Sequence, residues 1–176
     1  MVLPILWSIS PSLYRFIRNS GIKKKDKTLR LNENELNIKK LDSMSPRAFE
    51  FFVAGLLREW NAKDIEVTPS VGDHGADIVG YYNGDRFIVE CKKYSPNHRV
   101  GAREVRNMVG AMRSFKAKKA MFVTTSYFTK QCYKEFGNDP DIYFIDRNGL
   151  KKILEEYNNK SQPDNILEWE FCDRLT

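Results

Sequence analysis

Between residues 46 and 60 the apolar positions recur at helical spacing: Phe49, Phe52, Val53, Leu56 and Leu57 fall on one stripe. Ser45 and Pro46 precede them, a capping hydroxyl followed by a residue suited to the first helical position. The pattern predicts an amphipathic helix over 46–60. Ile65-Glu66-Val67 then reads as a short strand, and the stretch from Pro69 to Gly75 as turn-rich. Ala76 to Tyr82 and Arg86 to Lys93 are rich in Ile, Val, Phe and Tyr, and Asn83-Gly84 between them is a strong signal for a tight hairpin. Further on, the pattern predicts a helix over 101–116, a buried strand over 120–125, a helix over 128–136, a strand over 142–145 and a helix over 150–157. An antiparallel hairpin followed by alternating strands and helices implies an α/β fold: a mixed sheet flanked by helices.

Residues 1–43 show no such period. A piece containing Trp7, Tyr14 and Phe16 leads into Lys23, Lys24, Lys25 and Lys27, either a solvated linker or an arm that contacts phosphates. The chain therefore divides into an N-terminal extension (1–43), one catalytic-size domain (44–158) and a C-terminal tail (159–176).

The hairpin also places chemistry. With Asn83 and Gly84 as a two-residue turn, Tyr82 faces Asp85, and the same register carried outward sets Asp77 opposite Glu90. Opposed Cβ atoms lie about 4.5–5.5 Å apart. The two-residue period of a strand puts Lys92 on the face of Glu90. Two facing carboxylates among Ile78, Val79, Ile88 and Val89 repel, and burial makes that repulsion costly. A hard divalent cation such as Mg²⁺, with Mn²⁺ as a substitute, would compensate through carboxylate, water and phosphate oxygens. Acid, acid, lysine and metal suit phosphodiester hydrolysis. The plainer alternative is an ion pair near a strand end, but charges interrupting an apolar strand call for a partner or a role.

Composition sharpens the choice of substrate. Lys and Arg number 29 against 23 Asp and Glu, a formal charge of +6 and a pI near 9.2, which favours polyanionic partners. Lys93, Arg99, Arg103 and Arg106 follow the acidic pair and would either clamp a nucleic-acid backbone or form a solvated charged face. The cysteines Cys91, Cys132 and Cys172 have neither disulfide nor zinc spacing, which fits a reducing cytoplasm. Met1 to Ile9 is apolar but interrupted by Pro4 and Ser8, so no membrane insertion is expected.

Phe49-Glu50, Gly72-Asp73-His74-Gly75-Ala76-Asp77, Val89-Glu90-Cys91-Lys92-Lys93-Tyr94, Val100-Gly101, Glu104-Val105 and Phe122-Val123-Thr124-Thr125-Ser126 together resemble the Mrr-type restriction endonuclease family, over roughly residues 44 to 155. Many members of that family carry Gln where this chain has Glu90, while Glu is common in the wider nuclease superfamily. The resemblance implies a restriction-endonuclease-like core, Asp77 and Glu90 as metal ligands, Lys92 as the catalytic lysine and the main-chain carbonyl of Cys91 as a further ligand. It also aligns Glu50 with an acid that often joins such sites, against a plain reading as a solvated helix glutamate. The Cys91 side chain should pack on the opposite face. His74 and Asp73 read first as surface and turn residues. The activity implied is DNA endonuclease action in restriction or genome defence, with pairing of two copies as a route to cutting both strands. The alternatives are a structure-selective nuclease resembling Holliday-junction resolvases, or a binding module without chemistry; RNA is a further substrate class that such a site does not intrinsically reject.

Overall fold

In the computed structural model, residues 37–69 and 75–159 are described. Helix α1 (Ile38–Asp42) and helix α2 (Pro46–Glu59) lead into strands β1 (Lys63–Val67), β2 (Ile78–Tyr82) and β3 (Asp85–Lys92). Helix α3 (Ala102–Phe115), strand β4 (Lys119–Thr124), helix α4 (Lys130–Phe136), strand β5 (Ile142–Ile145) and helix α5 (Arg147–Asn159) follow. The sheet keeps chain order, β1-β2-β3-β4-β5, antiparallel through β3 and parallel beyond it. The expected mixed sheet is the one observed.

Helix α2 begins where Ser45 Oγ accepts the Ala48 N–H at 3.1 Å and Pro46 occupies its first turn. Its buried stripe of Phe49, Phe52, Val53, Leu56 and Leu57 packs with Ile78, Phe87, Val89 and Cys91 on one face of the sheet, joined by Leu150, Ile153 and Leu154 of α5. Each such aliphatic or aromatic side chain contributes roughly 1.5–3 kcal/mol by burial. On the other face Val105, Met108 and Cys132 from α3 and α4 cover Val79, Ile88, Ala120 and Phe122. At the hairpin, Asn83 and Gly84 both take positive φ, 50° and 87°, the conformation a two-residue turn between right-twisted strands requires. The register runs Tyr82↔Asp85 to Ile78↔Val89 as expected.

Three boundaries differ from the pattern reading. Ile38–Asp42 is helical although it falls in the stretch read as irregular: Asn37 Oδ1 caps it and Leu41 is fully buried, but five residues are too few to show a period. Phe128 belongs to a bridge with Val100, so α4 starts only at Lys130. Helix α5 starts at Arg147, because Asp146 Oδ1 accepts the N–H groups of Asn148 and Gly149 at 2.8 and 3.0 Å. The lysine run near residue 25, Gly72, Asp73, His74 and Cys172 lie outside the described residues. Among the described residues no helix is long and apolar enough to cross a membrane.

Candidate active site

Strand β3 runs from the turn to Lys92 and carries alternating side chains to the two faces of the sheet. Val89 and Cys91 enter the core beneath α2, whereas Ile88 faces α3. By the same alternation Glu90 and Lys92 stand on the α3 face. Cys91 thus packs away from Glu90, as expected, and burial, followed by the negative charges of Asp77, Glu50 and Glu90, pushes its thiol well up. Glu90 is 9% exposed and ion-paired with Lys92. Burial works to lower the Lys92 pKa, but the hydrogen bond to Glu90 and the charges of Glu90 and Asp77 outweigh it, and the net shift is upward.

Asp77 sits one residue before β2, where the regular pairing stops at Ile78↔Val89. Its N–H donates to Val89 O at 2.8 Å, and its carbonyl accepts from Thr68 N at 2.9 Å. In place of a further backbone rung, its side chain turns to the neighbouring strand, and Oδ2 accepts the Cys91 N–H at 2.6 Å. The carboxyl group is anchored by one oxygen against the segment that carries Glu90 and Lys92. Burial raises its pKa to about 7; the Cys91 N–H opposes that rise, Glu90 and Glu50 add to it and Lys92 subtracts. The charge of Glu50 is therefore felt from α2, across the end of the sheet.

Glu50 itself is held by Arg47, whose Nη1 donates to Glu50 Oε2 at 2.6 Å and to Thr68 O at 2.7 Å. Arg47 also lies over the Phe51 ring at 4.7 Å. This arginine ties the start of α2 to the end of β1 and was not singled out from the sequence; an i,i+3 Arg-Glu pair was the available signal.

The basic candidates spread along the segment after β3. Lys93 is half-buried, and Arg99, Arg103 and Arg106 are exposed. Arg106 is engaged at 2.5 Å with Glu135 of α4, and Arg99 lies over the Tyr127 ring at 5.9 Å. Tyr94 donates to Glu104 Oε1 at 2.9 Å, while Glu104 Oε2 accepts the Gly101 N–H at 2.8 Å. One glutamate thereby caps α3 and ties its start to the end of β3. Thr124, Thr125 and Ser126, known from the sequence only as part of a motif, are fully buried and bond to carbonyls of the same segment.

Chemically the arrangement offers hard oxygen donors from Asp77 and Glu90 beside an ammonium, with the soft sulfur of Cys91 turned away. Among the described residues no three His, Cys, Asp or Glu side chains form a ready metal cage. Mg²⁺ does not need one, since it binds through one or two carboxylates and retains water. The buried Asp77 carboxyl, reluctant to ionise alone, is a group that a cation would relieve. The donor set fits a hard divalent ion.

A family model described as Restriction endonuclease, Mrr_cat, matches residues 41–154. Among solved structures, the DNA modification-dependent restriction endonuclease AspBHI is similar at a TM-score of 0.53 and 20% identity, over 99% of this chain and 42% of that one. A protein of unknown function, AF1548, is similar at 0.53 and 18%, over 64% of this chain and 66% of the other. The MspJI restriction endonuclease, in complex with a 27-mer oligonucleotide, gives 0.48 and 17%, over 79% and 38%. The chain thus spans less than half the length of either restriction endonuclease. No curated protein matches it. These structural likenesses bear on the fold.

Proposed function

We propose that this chain, which belongs to the Mrr_cat restriction endonuclease family, is a divalent-metal-dependent endodeoxyribonuclease acting in restriction or genome defence. The observation that carries the reading is the meeting of Asp77, Glu90 and Lys92 at one end of the sheet, where burial raises the Asp77 pKa to about 7. Asp77 and Glu90 would hold Mg²⁺ or Mn²⁺, with the Cys91 carbonyl and Glu50 as further oxygen donors. A cation bound there supplies positive charge against the scissile phosphate and acidifies the attacking water.

The remaining work falls to the protein. The Cys91 N–H fixes one oxygen of Asp77, and the other would be the one to hold a cation. Glu90 orients Lys92 through their ion pair, and the Lys92 ammonium would then lie against the phosphate and stabilise charge that grows as the bond breaks. Lys93, Arg99 and Arg103 would contact the DNA backbone, giving salt-dependent binding that carries no sequence information. Arg106 would have to leave Glu135 to join them.

A second reading, structure-selective cleavage of branched DNA, draws on the same site. Glu50, the acid on the first long helix, acts on Asp77, and Holliday-junction resolvases resemble this core in having such an acid.

The test is cleavage of supercoiled plasmid and of a synthetic four-way junction with Mg²⁺, Mn²⁺ or EDTA, comparing wild type with Asp77→Ala and Lys92→Ala. Metal-dependent cutting that both substitutions abolish is expected, and the preferred substrate separates the two readings. Wild-type protein that binds DNA yet cuts neither substrate would make it a binding module.

A further inference from the structure

Three consecutive hydroxyls at the end of β4 bond to alternate carbonyls of the segment leaving β3. Thr124 Oγ1 donates to Lys92 O at 2.7 Å, Thr125 Oγ1 to Tyr94 O at 2.7 Å and Ser126 Oγ to Pro96 O at 3.3 Å. All three residues are fully buried. Thr125 N–H adds a bond to Lys92 O at 3.3 Å, and Ser126 N–H returns to Thr124 Oγ1 at 3.1 Å. The row is itself held from behind. Arg147, 9% exposed, donates from Nη1 to Thr125 O at 2.8 Å and from its backbone N–H to Ser126 O at 2.7 Å. Its guanidinium also grips both oxygens of Asp42, at 2.8 and 2.7 Å.

A fully charged fork buried at a strand end is costly unless its geometry is used. Here it joins the first and last described helices, α1 and α5, to the chain at the end of β4, whose hydroxyl row in turn bonds the backbone that presents Lys92. From the same backbone Tyr94 reaches Glu104 and the start of α3. One connected set of bonds therefore sets the position of Lys92 and of the helix that carries Arg103.

We propose that Thr125, held by the Asp42 and Arg147 pair, is a positioning residue for the reaction, fixing the Lys92 to Pro96 segment so that the Lys92 ammonium meets the phosphate. The inference rests on the nuclease reading above. It assigns to the hydroxyl row an effect on turnover rather than on DNA binding, because displacing a reacting group by a fraction of an ångström slows the bound complex without changing the contacts that hold the DNA.

Thr125→Val removes the hydroxyl at constant shape, Thr125→Ser restores it, and Arg147→Lys keeps the charge but lacks the fork that spans Asp42 and Thr125 O. The experiment measures kcat and KM on DNA at saturating Mg²⁺, well below each variant's Tm, together with amide hydrogen exchange of the metal-free proteins. Thr125→Val should lower kcat about tenfold or more with KM within about twofold. Exchange should quicken between Lys92 and Glu104 and not elsewhere, Thr125→Ser should return both readouts toward wild type, and Arg147→Lys should fall between. Wild-type kcat in Thr125→Val, a rise in KM alone, or accelerated exchange across the whole fold would each overturn the proposal. If wild type cuts no DNA, the nuclease reading fails with the kinetic role that rests on it, while the exchange data still decide whether the row fixes the segment.

Discussion

The two ends of β3 each pair an acid with a lysine. At the turn, Asp85 bonds to Lys118 at 2.8 Å, with side chains 37% and 62% exposed. At the other end Glu90 bonds to Lys92, with side chains 12% and 29% exposed, and the charges of both act on a second acid, Asp77. The residue types are the same and the strand is the same. What differs is water: at the turn solvent screens the charges, whereas at the far end burial shifts the pKa of Asp77 and couples three groups. The chemistry proposed for this sheet thus follows from where a charge pair lies, and substitutions at the two ends should separate activity from stability.

The largest expected difference is catalytic. Lys92→Ala should reduce DNA cleavage by about 10³-fold, in the range found when a group stabilising transition-state charge is removed, while Lys118→Ala leaves cleavage at the wild-type rate. Plasmid cleavage at saturating Mg²⁺ measures both. Equal losses at the two ends would remove the distinction between them and with it the assigned role of Lys92.

Next comes the pH dependence of Asp77. Its folded pKa, about 7, lies above the ordinary 3.8, so the folded protein keeps a proton that the unfolded chain gives up. Unfolding free energy should therefore fall as pH rises between about 4 and 7 and level off above, by an amount on the order of 2–4 kcal/mol from this group. Asp77→Asn keeps an acceptor for the Cys91 N–H and cannot ionise. In EDTA it should be more stable than wild type at pH 8 and equal to it at pH 4, as read by denaturant unfolding. The same proton competes with a cation. Apparent Mn²⁺ affinity, by calorimetry, should rise by up to about tenfold per pH unit below 7 and flatten above it. An affinity independent of pH would exclude Asp77 as a ligand that must lose its proton.

This contrast between the ends also marks what the sequence could show. The turn end was legible in full, because Asn83-Gly84 admits few backbone solutions and each rung to Ile78↔Val89 follows from the first. The far end was legible in its residues but not in its geometry. Asp77 breaks the register by giving its side chain to Cys91 N–H, a local competition between side chain and ladder that no alternation pattern reveals. The Asp42–Arg147 pair was hidden for another reason. Its members are 105 residues apart, and α1 is too short to show a period, so only tertiary packing brings them together. Arg106, expected either to clamp a nucleic-acid backbone or to join a solvated charged face, is engaged with Glu135 because α3 and α4 lie side by side on one face.

At the turn the expected effects are confined to stability. Gly84 has φ +87°, and a Cβ there meets nothing within 4 Å. Gly84→Ala therefore costs only the backbone strain of a left-handed alanine, roughly 1 kcal/mol, with the cleavage rate below Tm unchanged. A loss of several kcal/mol would mean that the turn is packed against something.

The smallest effect belongs to the Asp85–Lys118 pair itself. Both side chains are more than a third exposed, so solvent screening and the entropy of holding a long lysine chain offset most of the attraction, and the interaction is worth about 0.2–1 kcal/mol at most. Lys118 also donates its backbone N–H to Arg86 O at 2.8 Å, a bond that Lys118→Ala retains. A double-mutant cycle of Asp85→Ala and Lys118→Ala, followed by denaturant unfolding in low and high salt, isolates the side-chain term. A coupling energy under about 1 kcal/mol that shrinks with salt is expected. A coupling of several kcal/mol insensitive to salt would place this pair in the same electrostatic regime as Glu90 and Lys92, and burial could then no longer be the reason that only one end of β3 is suited to chemistry.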